Sequence, residues 1–169
     1  IKSIIDNSKN STNDNISIAD ITGFIIPIPP LNEQRRIINK LEFVIASIID
    51  NDGKQAHIDS VFDFPESWQV VRLRSICLLS DGIKQTGSQV CLDAKYLRGQ
   101  SSPTYLQQGK FVEKGDNIIL VDGENSGEVF TAPIAGYMGS TFKQLWVSNK
   151  MHKPYVLLFI LFYKDKLRN

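Results

Sequence analysis

Ile37, Leu41, Val44 and Ile48 follow one another at spacings of four, three and four, and Ile38, Ile45 and Ile49 widen the same line. That period belongs to a helix with one continuous apolar edge. Its ends are marked. Pro30 suits a first helical turn, Glu33 complements the positive end of the helix dipole, and Asn51-Asp52-Gly53 supplies a stop. About 20 residues at ~1.5 Å each make a rod roughly 30 Å long. A stripe of that length has to be covered, either by the core of its own domain or by another long helix. The 4-3-4 spacing, and the position of the rod between two strand-rich segments, favour pairing, with Ile37, Leu41, Val44 and Ile48 as the seam.

The flanks set the fold class. Residues 7–15 are Asn, Ser, Asp, Lys and Thr alone and read as a loop. Phe24-Ile25-Ile26 with Ile28 is a short apolar stretch closed by Pro27, Pro29 and Pro30, which marks an edge strand, since proline cannot donate to a central ladder. Beyond the helix, Gln69 to Leu73 alternates as a strand. Asn117 to Val121, Val129-Phe130 and Phe142 to Val147 read as further strands. Between them, Lys84 to Ser88, Glu124 to Gly127 and Ala135 to Thr141 read as polar or glycine-bearing loops, and Pro154 starts an apolar helix through Tyr163. The expectation is an α+β protein: a small, curved, mixed β-sheet plus a long helix that pairs as a coiled coil.

Composition narrows the partners. Apolar residues at 42% and charged ones at 22% exclude wholesale disorder, and 169 residues suffice for one domain with an arm. Residues 1–64 carry 6 basic and 9 acidic side chains, whereas residues 65–169 carry 13 and 9. Any surface for a polyanion therefore belongs to the second half. Cys77 and Cys91 are too few for a disulfide framework or a zinc site and read as reduced thiols. The most apolar run, Tyr155 to Tyr163, is less than half of the ~20 residues a membrane span needs. The expectation is a cytoplasmic protein with no membrane association. The chain begins at Ile1, as a processed chain or a piece of a longer one would.

No catalytic constellation emerges, and no cofactor or metal is expected. Gly123 to Gly127 lacks the lysine of a phosphate-binding loop. His57 and His152 lie in unrelated contexts, without a nucleophile at motif spacing. Asp116, Asp122 and Glu124 define the competing reading, a small metal-dependent nuclease. Against it, Asp116 and Asp122 bracket a strand as ordinary turn acids.

Three stretches together decide between these readings. Ile26-Pro27-Ile28-Pro29-Pro30-Leu31-Asn32-Glu33-Gln34-Arg35-Arg36-Ile37 resembles the segment joining a target-recognition domain to its spacer helix in the DNA-specificity (S) subunits of type I restriction–modification systems. Phe64 to Leu73 resembles the start of such a domain. Gly115 to Leu120, Asp122 to Gly127 and Gly136 to Thr141 resemble its inner strands and loops. The resemblance implies a non-catalytic subunit that reads half of a split site in double-stranded DNA and docks the methyltransferase (modification) subunits, alongside restriction subunits. The family's usual subunit has two recognition domains and two helices. Here residues 1–30 would be an arm completing a recognition domain, 31–53 a spacer helix, 54–64 a linker, and 65–169 the recognition domain itself.

Lys84, Gln85, Thr86, Lys95, Arg98, Asn125, Ser126, Tyr137, Ser140, Thr141 and Lys143 are the candidate DNA contacts, because they sit on or beside loops between strands and have the side chains that meet bases and phosphates. Trp68, Phe130 and Trp146 are expected to be packing aromatics. Because the rod carries the arm away from the head that follows it, the expectation is a homodimer with exchanged arms, each completing the other chain's domain. Closure within one chain is the alternative.

Overall fold

The structure is a computed structural model. It describes residues 18–49, 65–123 and 125–167, with the backbone alone for Asp20, 43–49 and 162–167. In chain order the elements are α1 (Ile18–Gly23), β1 (Ile25–Ile28), α2 (Leu31–Ile49), β2 (Gln69–Arg72), a 3-10 turn (Leu73–Ser75), β3 (Cys77–Ser80), β4 (Ile83–Leu92), α3 (Ala94–Leu97), β5 (Tyr105–Val112), β6 (Asn117–Leu120), β7 (Val129–Thr131), β8 (Gly136–Met138), β9 (Phe142–Val147) and α4 (Lys153–Leu167).

A four-stranded antiparallel sheet in the order β3-β9-β6-β7 divides the molecule. Successive strand side chains point to opposite faces, and β6 shows what that requires here. Ile119 joins a core with Ile21, Ile26, Ile28, Ile38, Leu145, Tyr155, Val156 and Ile160, on the helical side. Ile118 and Leu120 join a second core with Leu92, Val112, Met138 and Phe142. Both faces of β6 are buried, so Ile118 to Leu120 run apolar without interruption rather than alternating.

The second core is capped by a closed three-stranded barrel, β4-β5-β8. β4 pairs antiparallel with β5; the short β8 closes the ring, antiparallel to β5 and parallel to β4. So small a ring leaves room at its centre for one large side chain, the fully buried Tyr137. Two glycines make the closure sterically possible. A Cβ at Gly109 would lie 2.6 Å from the Tyr137 ring, and one at Gly136 would lie 2.5 Å from the Val90 carbonyl oxygen.

The sheet is thus three separate assemblies rather than one curved sheet, and mixed pairing occurs only in the barrel. Residues 84–88 lie within strand β4, and 136–138 form β8, where loops were expected. The reason is burial: 84–88 are exposed on both faces, so no alternation marks them as a strand. Of the aromatics, Phe130 packs edge-on to Phe142 at 5.8 Å, and Trp68 is half-buried. Trp146 departs from expectation: it is 52% exposed, opposite the exposed Leu78 on β3.

In the single chain the arm pairs with its own head, the alternative to exchanged arms. β1 pairs antiparallel with β2, Ile25 opposite Arg72 through Ile28 opposite Gln69. The Leu73 N–H donates to the Phe24 carbonyl oxygen at 2.6 Å. Covalent reach permits it. The 19 residues from 50 to 68 can extend about 60 Å, twice the ~28 Å length of α2, so the rod does not keep arm and head apart. The first turns of α2 follow the arm: Ile38 is buried in the helical-side core and Ile37 packs on it, leaving neither as a free seam. Leu41 is half-buried, and the Val44 and Ile48 side chains lie outside the described residues, as does the expected stop at 51–53.

Gln34 joins these pieces. Its buried amide donates from Nε2 to the Pro29 carbonyl oxygen and accepts at Oε1 from the His152 backbone N–H, both at 2.9 Å. Tyr155 donates its hydroxyl to the Pro27 carbonyl oxygen at 2.9 Å. A buried carbonyl without a partner is costly. Here two carbonyls of the proline-rich strand are satisfied by side chains from α2 and α4.

Candidate nucleic-acid interface

Between the rows that β8 closes, at Lys110 to Val112 and at Cys91 and Leu92, β4 and β5 pair only with each other as a two-stranded ribbon. Ile83 to Ser88 and Tyr105 to Gln108 are exposed along it, Ile83 at 73% and Tyr105 at 64%. The register slips between Thr86 and Gln89, so Gly87 and Ser88 bulge from the ladder. A bulge sharpens local twist and re-aims side chains. This one is held from inside the barrel, where the Tyr137 hydroxyl donates to the Gly87 carbonyl oxygen at 2.9 Å.

Lys84, Gln85 and Thr86 on β4, with Gln108, Gly109 and Lys110 on β5, line one open hollow. Lys84 stands directly opposite Lys110 across the ribbon. Like charges in direct cross-strand register are unfavourable. Asp81, in the turn between β3 and β4, relieves part of this. Its Oδ1 accepts from Lys110 Nζ and from Lys143 Nζ of β9, each at 2.5 Å. Those two hydrogen bonds, Lys110 first, hold the Asp81 carboxyl down at about 2. Two lysines from different strands therefore share a single carboxylate at the foot of the ribbon.

The sequence-derived candidates fall into three groups. Lys84, Gln85 and Thr86 are brought together in the hollow, and Lys143 reaches its foot through Asp81. Lys95, Asn125 and Ser140 are exposed elsewhere, and Thr141 is half-buried just ahead of β9. Arg98 makes a two-nitrogen ion pair with Glu128, Nε lying 3.1 Å from Oε2, which ties α3 to the β6–β7 turn. Ser126 and Tyr137 are fully buried; the Ser126 hydroxyl donates to the Gly123 carbonyl oxygen at 2.5 Å. As placed, these two hold turns and present nothing to a ligand.

Sequence reasoning missed Gln108, Lys110 and Asp81. The signal was available only through pairing. Once residues 83–92 and 105–112 are recognised as one hairpin, Lys110 falls opposite Lys84.

Of the nuclease constellation, only Asp116 and Asp122 belong to the described residues. Asp116 Oδ2 accepts from the Glu113 N–H at 2.9 Å and from Gln144 Nε2 at 2.8 Å, Asp122 is exposed, and Glu124 lies outside the described residues. Among the described residues no three His, Cys, Asp or Glu side chains come together as metal ligands. Both cysteines are half-buried thiols, and burial pushes Cys77 up to about 12, which keeps it protonated and unreactive. Among the described residues no helix is long and apolar enough to cross a membrane.

Comparison with known proteins agrees with the resemblance read from the sequence. Residues 1–59 match the family described as the type I restriction modification DNA specificity domain. That span contains the Ile26–Ile37 stretch and ends before Phe64, so the match rests on the arm, α2 and the chain just after it. No curated protein matches the chain. Among solved structures, the HsdS subunit from Thermoanaerobacter tengcongensis is 20% identical with a TM-score of 0.48. A chain from a study of the complex assembly and conformational transition of the type I R-M system is 20% identical with a TM-score of 0.47. Each comparison covers 85% of this chain and 44% of the other, so the chain spans less than half the length of the structures it matches.

Proposed function

We propose that this chain is a sequence-specific DNA-recognition module of a type I restriction–modification specificity subunit, itself non-catalytic, whose contact surface is the β4–β5 ribbon and its hollow. The observation that carries this reading is the ribbon itself. It is an exposed, two-stranded segment with two lysines in direct register, attached to a chain whose first 59 residues match the DNA specificity family. A two-stranded ribbon fits the ~12 Å width of a DNA major groove, where Gln and Thr can meet base edges and lysines can meet guanine or phosphate. In this reading Lys84, Gln85, Thr86 and Gln108 contact the duplex from the ribbon. Lys95, Asn125 and Ser140 extend the contact to its flanks.

The reading extends to organisation. The arm to residue 30 and the segment 65–169 form one recognition domain, 31–53 act as the spacer helix, and 54–64 as the linker. One such domain reads half of a split target. The later turns of α2, with Val44 and Ile48, supply the surface that pairs with another helix and docks modification subunits.

Enrichment from a random-sequence duplex pool tests this. The chain is expected to enrich one short motif. Replacing Lys84, Gln85 and Thr86 together by alanine should lower affinity for that motif at least tenfold, since one bidentate base contact alone is worth about 1–3 kcal/mol. A pool bound without enrichment of any sequence overturns the specific-recognition reading.

A further inference from the structure

The arrangement at the foot of the ribbon carries a consequence for selectivity. Asp81 places one carboxylate oxygen 2.5 Å from both the Lys110 and the Lys143 ammonium groups, and its own side chain is 60% exposed. Lys110 and Lys143 are only 27% and 22% exposed, so their stems are held by the fold while their charged ends converge on one point at the surface. Lys84, opposite Lys110 across the ribbon, lines the adjoining hollow with it. A single exposed, singly charged oxygen acceptor held between convergent ammonium groups is the geometry a backbone phosphate oxygen would take up.

We infer that Asp81 is a built-in occupant of a phosphate site: it holds Lys110 and Lys143 converged in the free protein and competes with nucleic-acid phosphate for them. This rests on the DNA-recognition reading and adds to it a residue that determines selectivity without touching a base. A duplex that makes only phosphate contacts must displace Asp81 and regains little. A duplex that also makes base contacts along Lys84 to Thr86 binds despite the exchange. Asp81 therefore acts against non-specific binding more than against binding of the true target.

The test uses Asp81→Asn in the full chain. Asparagine suits the same turn and removes the charge at an exposed position. The probe is a mixed-sequence duplex of about 20 base pairs, read by fluorescence anisotropy across a potassium chloride series. The expected result is at least a fivefold gain in affinity for this duplex at low salt. The plot of log affinity against log salt should also steepen by about one to two units, because each lysine freed to meet a phosphate adds ~0.9. Adding Lys110→Gln and Lys143→Gln to Asp81→Asn should abolish both changes, which separates the two lysines from any general effect of lost negative charge. If the wild-type chain binds and Asp81→Asn shows the same affinity and slope, the inference is overturned while the DNA-recognition reading stands. The inference is equally overturned if the gain survives loss of both lysines. Absence of any duplex binding by wild type and variant alike overturns both.

Discussion

At the scale of single residues, buried polar groups decide how the ribbon is held. Tyr137 fills the barrel, is closed over by Gly109, and restrains the bulge through its hydroxyl. Tyr137→Phe should cost about 1 kcal/mol, the net value of one hydrogen bond, and leave the fold intact. Gly109→Ala should cost more, about 1–3 kcal/mol, because the ring it meets is buried on all sides and cannot withdraw. Urea unfolding of both variants checks the order; equal stability of the two would contradict it. Asp81 gives a pH signature. Its folded carboxyl titrates at about 2 against an ordinary 3.8. A carboxyl lowered on folding favours the folded state above its unfolded value, and that contribution is lost as pH falls from about 4 towards 2. Carbon-detected NMR of the Asp81 carboxyl should therefore show a midpoint near 2, and a midpoint near 3.8 would mean that the two lysines do not hold it. Much of this was hidden in the sequence. Tyr137 and Ser126 look like ideal surface readers beside glycine turns, and only tertiary placement reveals that both are interior.

At the scale of elements, local signals work where one face is buried and fail where none is. β1 is legible because three prolines confine an apolar run to an edge, and β9 is legible from its apolar content between turns. The start of α2 is legible from Pro30 and Glu33, and the Glu33 and Gln34 N–H groups both donate to the Pro30 carbonyl oxygen. The outer half of β4 carries no such signal, since Lys84 to Ser88 meet solvent on every side. The stripe on α2 was legible as a stripe, but its partner was not. Ile37 and Ile38 are turned to the chain's own core because Gln34, three and four residues earlier, fixes that face against Pro29 and His152. Gln34→Leu keeps the volume and leaves the Pro29 carbonyl and the His152 N–H unpaired. It should cost about 1–3 kcal/mol for each group and raise amide exchange at the start of α4. Unchanged exchange there would mean that the amide does not join these elements.

At the scale of the whole molecule, chain order and spatial order differ: residues 18–38 complete a core whose remaining members lie between 73 and 160. The sequence suggested that arm and head belong together and left open whether one chain or two provide them, because the answer depends on the reach of residues 50–68 rather than on any side-chain pattern. Cysteines placed at Ile25 and Arg72, which are paired across β1 and β2, report on it. In a chain with Cys77 and Cys91 replaced by alanine, oxidation should give a disulfide within one chain, migrating as a monomer without reductant. A covalent dimer would show that the arms are exchanged.

The claim on which everything else depends is that the β4–β5 ribbon is the surface that meets DNA. Hydrogen–deuterium exchange on the chain, free and bound to its enriched duplex, tests this most directly. The account predicts protection concentrated at residues 83–89 and 105–110, with the amides of α1, β1 and the start of α4 unchanged. Protection confined instead to the exposed Leu78 and Trp146 side of β3 and β9, with the ribbon exchanging as freely as before, would contradict it.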